Sequence, residues 1–319
     1  MPSVDSQKRI AVVGAGAVGC YYGGVLARGG LPVTLIGRKT HVEAVRRNGL
    51  VIERANGRET IGVAAATDVD AARGADVVLV CVKSPDTETV ARDLASIVDS
   101  HTAIVSLQNG VDNAMRLRSV LSNDVYAAVV YVATMMSGPG IVRHIGRGDL
   151  VLGAASDIAS LPRVRERLTD LAAMFERAGV GCPITDDIDA ALWTKLAINC
   201  ACNAVSALGR ANYGRMRREP LVRGLMVAAL REAVAVARAD GVALDEQVPE
   251  SALWGIVDAM NAQYSSTAQD ILRGKPTEID SLNGYIVSRG DAQGIDVPVN
   301  RTLHALVKLR ETGDDLGAA

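Results

Sequence analysis

Lysine is scarce in this 319-residue chain. Of its 34 basic residues only six are lysines, Lys8, Lys39, Lys83, Lys195, Lys275 and Lys308. In a chain that relies on arginine, a lysine inside an apolar segment is informative, because an ammonium can give up its proton in chemistry and a guanidinium cannot. A block of like-signed charge is also missing. The 34 Lys and Arg stand against 36 Asp and Glu, a formal charge of −2, and no basic run can track a phosphate backbone, which argues against a nucleic-acid partner. The five cysteines, Cys20, Cys81, Cys182, Cys200 and Cys202, include no C-x-x-C pair. They sit mostly in apolar segments, where a free thiol behaves as a small hydrophobe, so neither a disulfide nor a bound metal is expected. No apolar run approaches the roughly 18 residues of a membrane span, and "MPSVDSQKRI" lacks the apolar core of a signal peptide. The expectation is a cytoplasmic protein with no membrane partner. The four histidines, His41, His101, His144 and His304, show no spacing that suggests a metal site or a triad, and none is assigned chemistry.

What the chain does contain begins with "RIAVVGAGAVGCYYGGVLARGG", a short β-branched run, then glycines, then a helical pattern, followed by a second strand in "LPVTLIGR". The spacing Gly14-x-Gly16-x-x-Gly19 falls at the strand-to-helix turn, the context a dinucleotide fingerprint requires. The first glycine permits the tight turn, the second lets backbone approach a pyrophosphate, and the third allows close helix-to-strand packing. Ala15, Ala17 and Val18 complete the turn, whose free N–H groups meet phosphate charge. Further strands are predicted at 76–83, 101–110 and 124–133, their near-continuous Val and Ile marking a parallel sheet buried on both faces. A helix is predicted at 86–98, and 49–66 reads as a hairpin about Asn56-Gly57. Residues 139–153 read as a further antiparallel pair. Beyond about residue 186 no strand is predicted, only helices at 187–208, 217–240, 249–272, 278–292 and 299–312. A mass of 33.4 kDa suits two cores, since one core stops growing at roughly 250–300 residues. The expected architecture is an α/β dinucleotide-binding domain over 1–186 and an all-helical domain over 187–319. The tail "TGDDLGAA" is expected to fray.

Several polar residues stand out against this frame. In NAD-binding proteins of this type an acidic residue takes the ribose hydroxyls roughly 20 residues beyond the glycines. Here that place reads "LIGRKT", and the cation Arg38 suits the 2′-phosphate of NADP(H), unless it is simply a surface residue. Lys83 and Asn109 each end a strand at the carboxyl edge of the sheet, where open α/β folds bind ligands. The apolar helix "ALWTKLAINCACNAVSALG" carries Lys195, Asn199 and Asn203 at intervals of four. A step of four advances only about 40° around a helix, so the three share one stripe. Either that stripe is solvated or it meets a partner, because an unpartnered buried ammonium or amide is costly. Asp186, Asp187 and Asp189 suit a helix N-terminus. The segment 221–237 is either a core helix or part of a homodimer interface.

The chain resembles the 2-dehydropantoate 2-reductase (ketopantoate reductase) family nearly end to end, from "VVGAGAVG" to "GIDVPVN", and most specifically in "LQNG", "WTKLAINCACN" and "SSTAQDILRGKPTEIDSLNG". The resemblance implies a Rossmann-type N-terminal domain, a helical C-terminal domain, and reduction of ketopantoate to pantoate by NADPH on the route to pantothenate and coenzyme A. It places the general acid at Lys195, substrate contacts at Asn109, Asn199, Asn203 and Ser266, and the conserved glutamate at Glu278, which holds the ammonium and faces the cofactor. It also places 2′-phosphate recognition at Arg38, nicotinamide-side contacts at Lys83 and Asn109, and a backbone contact at Ala133. Ser266 and Glu278 each have a second reading, as helix caps. One departure stands out: where the family usually has a further substrate-binding Asn, this chain reads "GRANYGRM", with Tyr213 at the position and Asn212 one residue early. The alternatives are therefore an NADP-dependent reductase of a different 2-oxo acid, or a non-catalytic NADP-binding regulatory protein.

Overall fold

In a computed structural model that describes residues 8–245 and 247–312, the first predicted strand is β1 (Ile10–Val13), buried along its whole length. Alternation sends Ile10 and Val12 into one core and Ala11 and Val13 into another on the opposite face of the sheet, as a period of two requires. Five further strands lie parallel around it: β2 (Val33–Ile36), β5 (Ala64–Ala66), β6 (Val77–Val80), β7 (Ala103–Ser106) and the first half of β8 (Val125–Gly138). The hairpin β3 (Leu50–Arg54) and β4 (Gly57–Ile61) turns at Ala55-Asn56, one residue before the expected pair, with Gly57 already opening β4, and residues 64–66 of the expected hairpin form β5 instead. The complete sheet has nine strands in the order β4-β3-β9-β8-β7-β6-β1-β2-β5, with β9 spanning Ile141–Ala154.

The helices of this unit are α1 (Ala17–Arg28), α2 (Lys39–Asn48), α3 (Thr87–Ala95), α4 (Asn113–Arg118), α5 (Ser156–Ala159) and α6 (Pro162–Arg177). The sheet wraps around α1. A Cβ at Gly23 would lie 2.6 Å from Leu35 of β2, and one at Gly24 would lie 2.7 Å from Leu50 of β3, so two glycines let strands close on two sides of a single helix.

Residues 139–153 are not the antiparallel pair that was expected. From Ile141 on they belong to one 14-residue strand, β9, paired antiparallel with β8. The turn is Pro139-Gly140, with Gly140 at φ +74°, a conformation that costs glycine little. Gly148 is the extra residue of a bulge opposite the Tyr131–Val132 step, one of three register shifts in this pair. The helix α6 was not predicted.

The chain divides between Ile188 and Asp189 into two units. The second has no strand among its described residues. Its helices are α7 (Ile188–Gly209), α8 (Tyr213–Arg218), α9 (Pro220–Ala239), α10 (Gln247–Ala259), α11 (Ser266–Leu272), α12 (Asn283–Gln293) and α13 (Pro298–Thr312). Three predicted helices prove to be split. Pro220, which lacks an N–H, starts α9 instead of continuing α8. Ser265 caps a new helix, α11, after a break at 260–265. A 3₁₀ turn at Ile279–Ser281 precedes α12. From Met226 on, the segment 221–237 is core, with Met226, Ala229, Leu230, Ala233, Val234 and Ala237 of α9 buried, while Leu221 and Leu225 in its first part are exposed. Beneath α7, Asn283 donates to the Cys200 carbonyl at 3.1 Å and to Asn300 Oδ1 at 2.9 Å, while Glu232 accepts the N–H groups of Val299 and Asn300 at 2.9 Å. This buried network ties α7 to α12, and α9 to the start of α13. No helix among the described residues is long and apolar enough to cross a membrane.

Candidate active site

In the N-terminal unit the three glycines do three different jobs. Gly14 sits at φ +107°, and a Cβ there would lie 2.6 Å from the Cys81 carbonyl carbon. Only glycine lets β1 turn this close to the end of β6. A Cβ at Gly19 would overlap the Gly14 carbonyl oxygen, whereas one at Gly16 would meet nothing within 4 Å. Open space therefore lies over the middle glycine alone. Gly16 precedes α1 without a side-chain cap, and no acidic residue stands in the first turn. Ala17, Val18 and Gly19 open a helix whose leading N–H groups have no intrahelical acceptor. These features fit a pyrophosphate, the shared element of dinucleotide cofactors.

Arg38 is exposed at the junction of β2 and α2, as its place in "LIGRKT" suggested. Lys39 is drawn to Glu43 at 3.9 Å. Gly37 holds this junction against the glycine turn, since a Cβ on it would lie 2.7 Å from the Ala15 methyl. Lys83 and Asn109 follow β6 and β7 at the carboxyl edge of the sheet. Between them runs a buried polar network that sequence reasoning missed. Ser84 donates to the Asn109 carbonyl at 3.1 Å, and Asn113 donates to the same carbonyl at 2.7 Å and to Ser84 at 3.0 Å. Thr87 donates to Asn113 at 2.9 Å, while Gln108 donates to Thr87 at 2.8 Å and to the Val82 carbonyl at 3.1 Å. The signal was present as two polar clusters, "KSPDT" and "QNGVDN", each directly after a buried strand. Ala133 lies on β8 opposite Gly146, between two of the register shifts.

In the C-terminal unit, α7 carries the predicted stripe with graded burial: Lys195 and Asn199 are half-buried and Asn203 is 3 % exposed. A simple solvated face does not bury its last member. Asn203 donates to Ser266 Oγ at 3.3 Å, which brings two of the predicted substrate contacts together. Ser266 is not the cap of α11. Ser265 takes that role, accepting from the Ala268 N–H at 3.1 Å and donating to the Asn203 carbonyl at 3.0 Å, while its own N–H reaches Ser206 at 3.2 Å. The start of α11 is thereby fastened to α7, and the Ser266 hydroxyl is left beside Asn203. Nor does Glu278 cap. Thr277 accepts from the Ile279 N–H at 3.1 Å, and the Glu278 carboxylate makes no capping bond. The turn that carries Glu278 is held from α13 by Glu311, which accepts the Thr277 N–H at 2.7 Å, and by His304 and Lys308, which meet Asp280 at 2.7 and 2.9 Å.

The N-terminal unit thus carries a glycine turn that fits a pyrophosphate, and the C-terminal unit carries a helix, α7, with a lysine and two amides, one of which bonds a serine hydroxyl of α11. The sequence model described as "Ketopantoate reductase PanE/ApbA" matches residues 10–157, and that of its C-terminal domain matches 187–311. A 2-dehydropantoate 2-reductase of Halobacterium salinarum is 36% identical over 95% of this chain and 99% of its own length. The chain belongs to the ketopantoate reductase family.

A second family relative, the 2-dehydropantoate 2-reductase of Pyrococcus horikoshii, is 31% identical over 95% of this chain and 98% of its own length. Among solved structures, a PanE/ApbA family ketopantoate reductase from Ralstonia eutropha superposes with a TM-score of 0.85 at 49% identity, covering 95% of this chain and 98% of that one. D-mandelate dehydrogenase, solved with NADH and anilino(oxo)acetate, shares the fold with a TM-score of 0.87 at 22% identity, covering 95% and 98% of the two chains. As a ketopantoate reductase family member this protein is an oxidoreductase acting on a CH–OH group with a nicotinamide cofactor. The non-catalytic alternative falls with that membership. At the point of departure from the family pattern, Tyr213 is buried, with its hydroxyl pKa pushed up by burial. Asn212 caps α8, accepting from the Arg215 N–H at 2.9 Å, so its carbonyl oxygen is already engaged.

Proposed function

We propose that this protein is an NADPH-dependent ketopantoate reductase that forms (R)-pantoate in the cytoplasm. The observation that supports the reading is the bond from Asn203, on the same α7 stripe as Lys195, to Ser266 of α11, with a separate serine, Ser265, doing the capping. When bound, NADPH supplies the hydride that adds to the C2 carbonyl carbon. The glycine turn from Gly14 to Gly19 would hold its pyrophosphate, Arg38 its 2′-phosphate, and Lys83, Asn109 and the Ala133 backbone the nicotinamide side. As charge builds on the carbonyl oxygen, Lys195 as an ammonium neutralises and protonates it, a contribution of about 10²- to 10⁴-fold. Glu278 would keep that ammonium in place. Asn199, Asn203 and Ser266 hold the carboxylate and hydroxyl of the substrate through hydrogen bonds to charged or developing-charge oxygens.

The burial of Tyr213 and the capping role of Asn212 favour one second reading, a pocket shaped for a different branched 2-oxo acid. Steady-state NADPH oxidation with ketopantoate and a panel of 2-oxo acids tests both. Saturable turnover strongest on ketopantoate is expected. Strongest turnover on another acid keeps the mechanism and replaces the substrate.

A further inference from the structure

Behind the glycine turn, two side chains that the mechanism does not use form a continuous hydrogen-bonded path. The Gly140 N–H, in the turn between β8 and β9, donates to His41 Nδ1 at 2.8 Å. Nδ1 therefore carries no proton, and the neutral ring bears its proton on Nε2. That nitrogen lies 3.0 Å from Cys20 Sγ, so the imidazole donates to sulfur, and the thiol proton is directed at the Ala15 carbonyl at 3.3 Å. Burial pushes the Cys20 thiol up to about 12 and lowers the His41 imidazole. Both partners stay neutral, so this pair is neither a thiolate nucleophile nor a redox thiol poised for reaction.

The path closes on itself. The backbone N–H of His41 donates to the Arg38 carbonyl at 3.0 Å, and the neighbouring Gly37 is packed on Ala15. Ala15, Cys20, His41 and Arg38 thus lie on one ring that joins the glycine turn to the start of α2. Gly140 extends it to the β8–β9 turn, where a Cβ would lie 3.1 Å from Ala44 of α2.

We propose that the Cys20–His41 bridge positions Arg38 relative to the glycine turn, and so sets the affinity for the 2′-phosphate of NADPH. It is a positioning device that rests on the NADPH reading above, and it acts on cofactor binding without touching the reacting atoms. His41→Ala is expected to weaken NADPH binding about tenfold, the scale of one lost half-buried hydrogen bond. NADH, which has no 2′-phosphate, is expected to change less than about threefold. Cys20→Ala reproduces the loss, Cys20→Ser restores most of it by keeping a donor and an acceptor, and the double alanine variant is no weaker than either single one, because all three break the same bridge.

The test is the NADPH and NADH dissociation constants of the purified full chain and its variants, by fluorescence titration or calorimetry, alongside kcat at saturating NADPH, which stays within about twofold. Should His41→Ala fail to fold, His41→Gln and Cys20→Ala carry the same comparison. A wild-type protein that does not bind NADPH overturns the cofactor reading and the role of the bridge with it. Tight wild-type binding with folded variants of unchanged NADPH affinity overturns the bridge alone.

Discussion

Lys195 and Arg38 are both cations, and the chemistry each can do differs by one proton. In the proposed roles Lys195, half-buried on an apolar helix, gives its proton to a developing alkoxide, whereas Arg38, exposed at a strand end, offers a fixed charge and a planar fork to a phosphate. Replacing Lys195 by Ala is expected to lower kcat by about 10²- to 10⁴-fold while the NADPH dissociation constant moves less than twofold, which steady-state kinetics and fluorescence titration check together. An undiminished kcat removes Lys195 as the acid. Replacing Arg38 by Ala is expected to raise the KM for NADPH by about tenfold or more, the scale of a lost charge-assisted contact, with the KM for NADH nearly unchanged. Equal effects on both cofactors would return Arg38 to the surface.

At the start of α11 the support given by Ser265 and the substrate contact proposed for Ser266 fall on adjacent residues, and the two are separable. Ser265→Ala removes a cap and a tie to α7 and is expected to cost about 1 kcal/mol of stability, read as a lower Tm with KM for the 2-oxo acid nearly unchanged. Ser266→Ala is expected to do the reverse, raising that KM several-fold at an unchanged Tm. Reading the chain alone located the Ser-Ser-Thr run but not which serine capped, because the choice depends on Asn203 and Ser206 of α7, some 60 positions away in sequence but adjacent in space. The α7 stripe, the glycine turn and the Lys83 and Asn109 strand ends were legible because each is written in local spacing. The splits at Pro220 and Ser265 and the long β9 were not, since apolar periodicity runs through a break, and a glycine at a bulge looks like a glycine at a turn. The role of His41 is not written in metal or triad spacing, because its ring bonds a thiol 21 residues back and a backbone N–H 99 residues on.

At the scale of the whole molecule, the charged groups set a direction for stability with pH. Arg116, hydrogen-bonded to Glu88 at 2.5 Å, holds that carboxyl down at about 2, Ser137 and Arg143 lower Glu53, and Arg118 lowers Asp157. Among the described carboxylates Asp112 opposes them, raised by burial. A depressed carboxylate contributes stability that is present above its unfolded pKa and lost as pH falls through its folded one. His41, with Cys20 from α1 and the Gly140 N–H against its ring and Lys39 and Glu43 on its own helix, is lowered too. Its contribution is intact above the ordinary imidazole range and declines as acid protonates the ring. The expected Tm is level between about pH 8 and 7 and falls in two stages, below about 6.5 and again below about 4, as differential scanning fluorimetry would show; a Tm that rises towards pH 4 contradicts this. The sheet order has a temporal consequence as well. β3 is in place by Arg54, yet its partner β9 begins at Ile141. A chain emerging from the ribosome therefore carries an unpaired strand edge, and an α1 covered on one side only, for nearly ninety residues of synthesis. Over that interval the nascent protein is exposed to edge-to-edge association, and the late arrival of a single hairpin both seals the sheet and delivers the backbone N–H that orients His41.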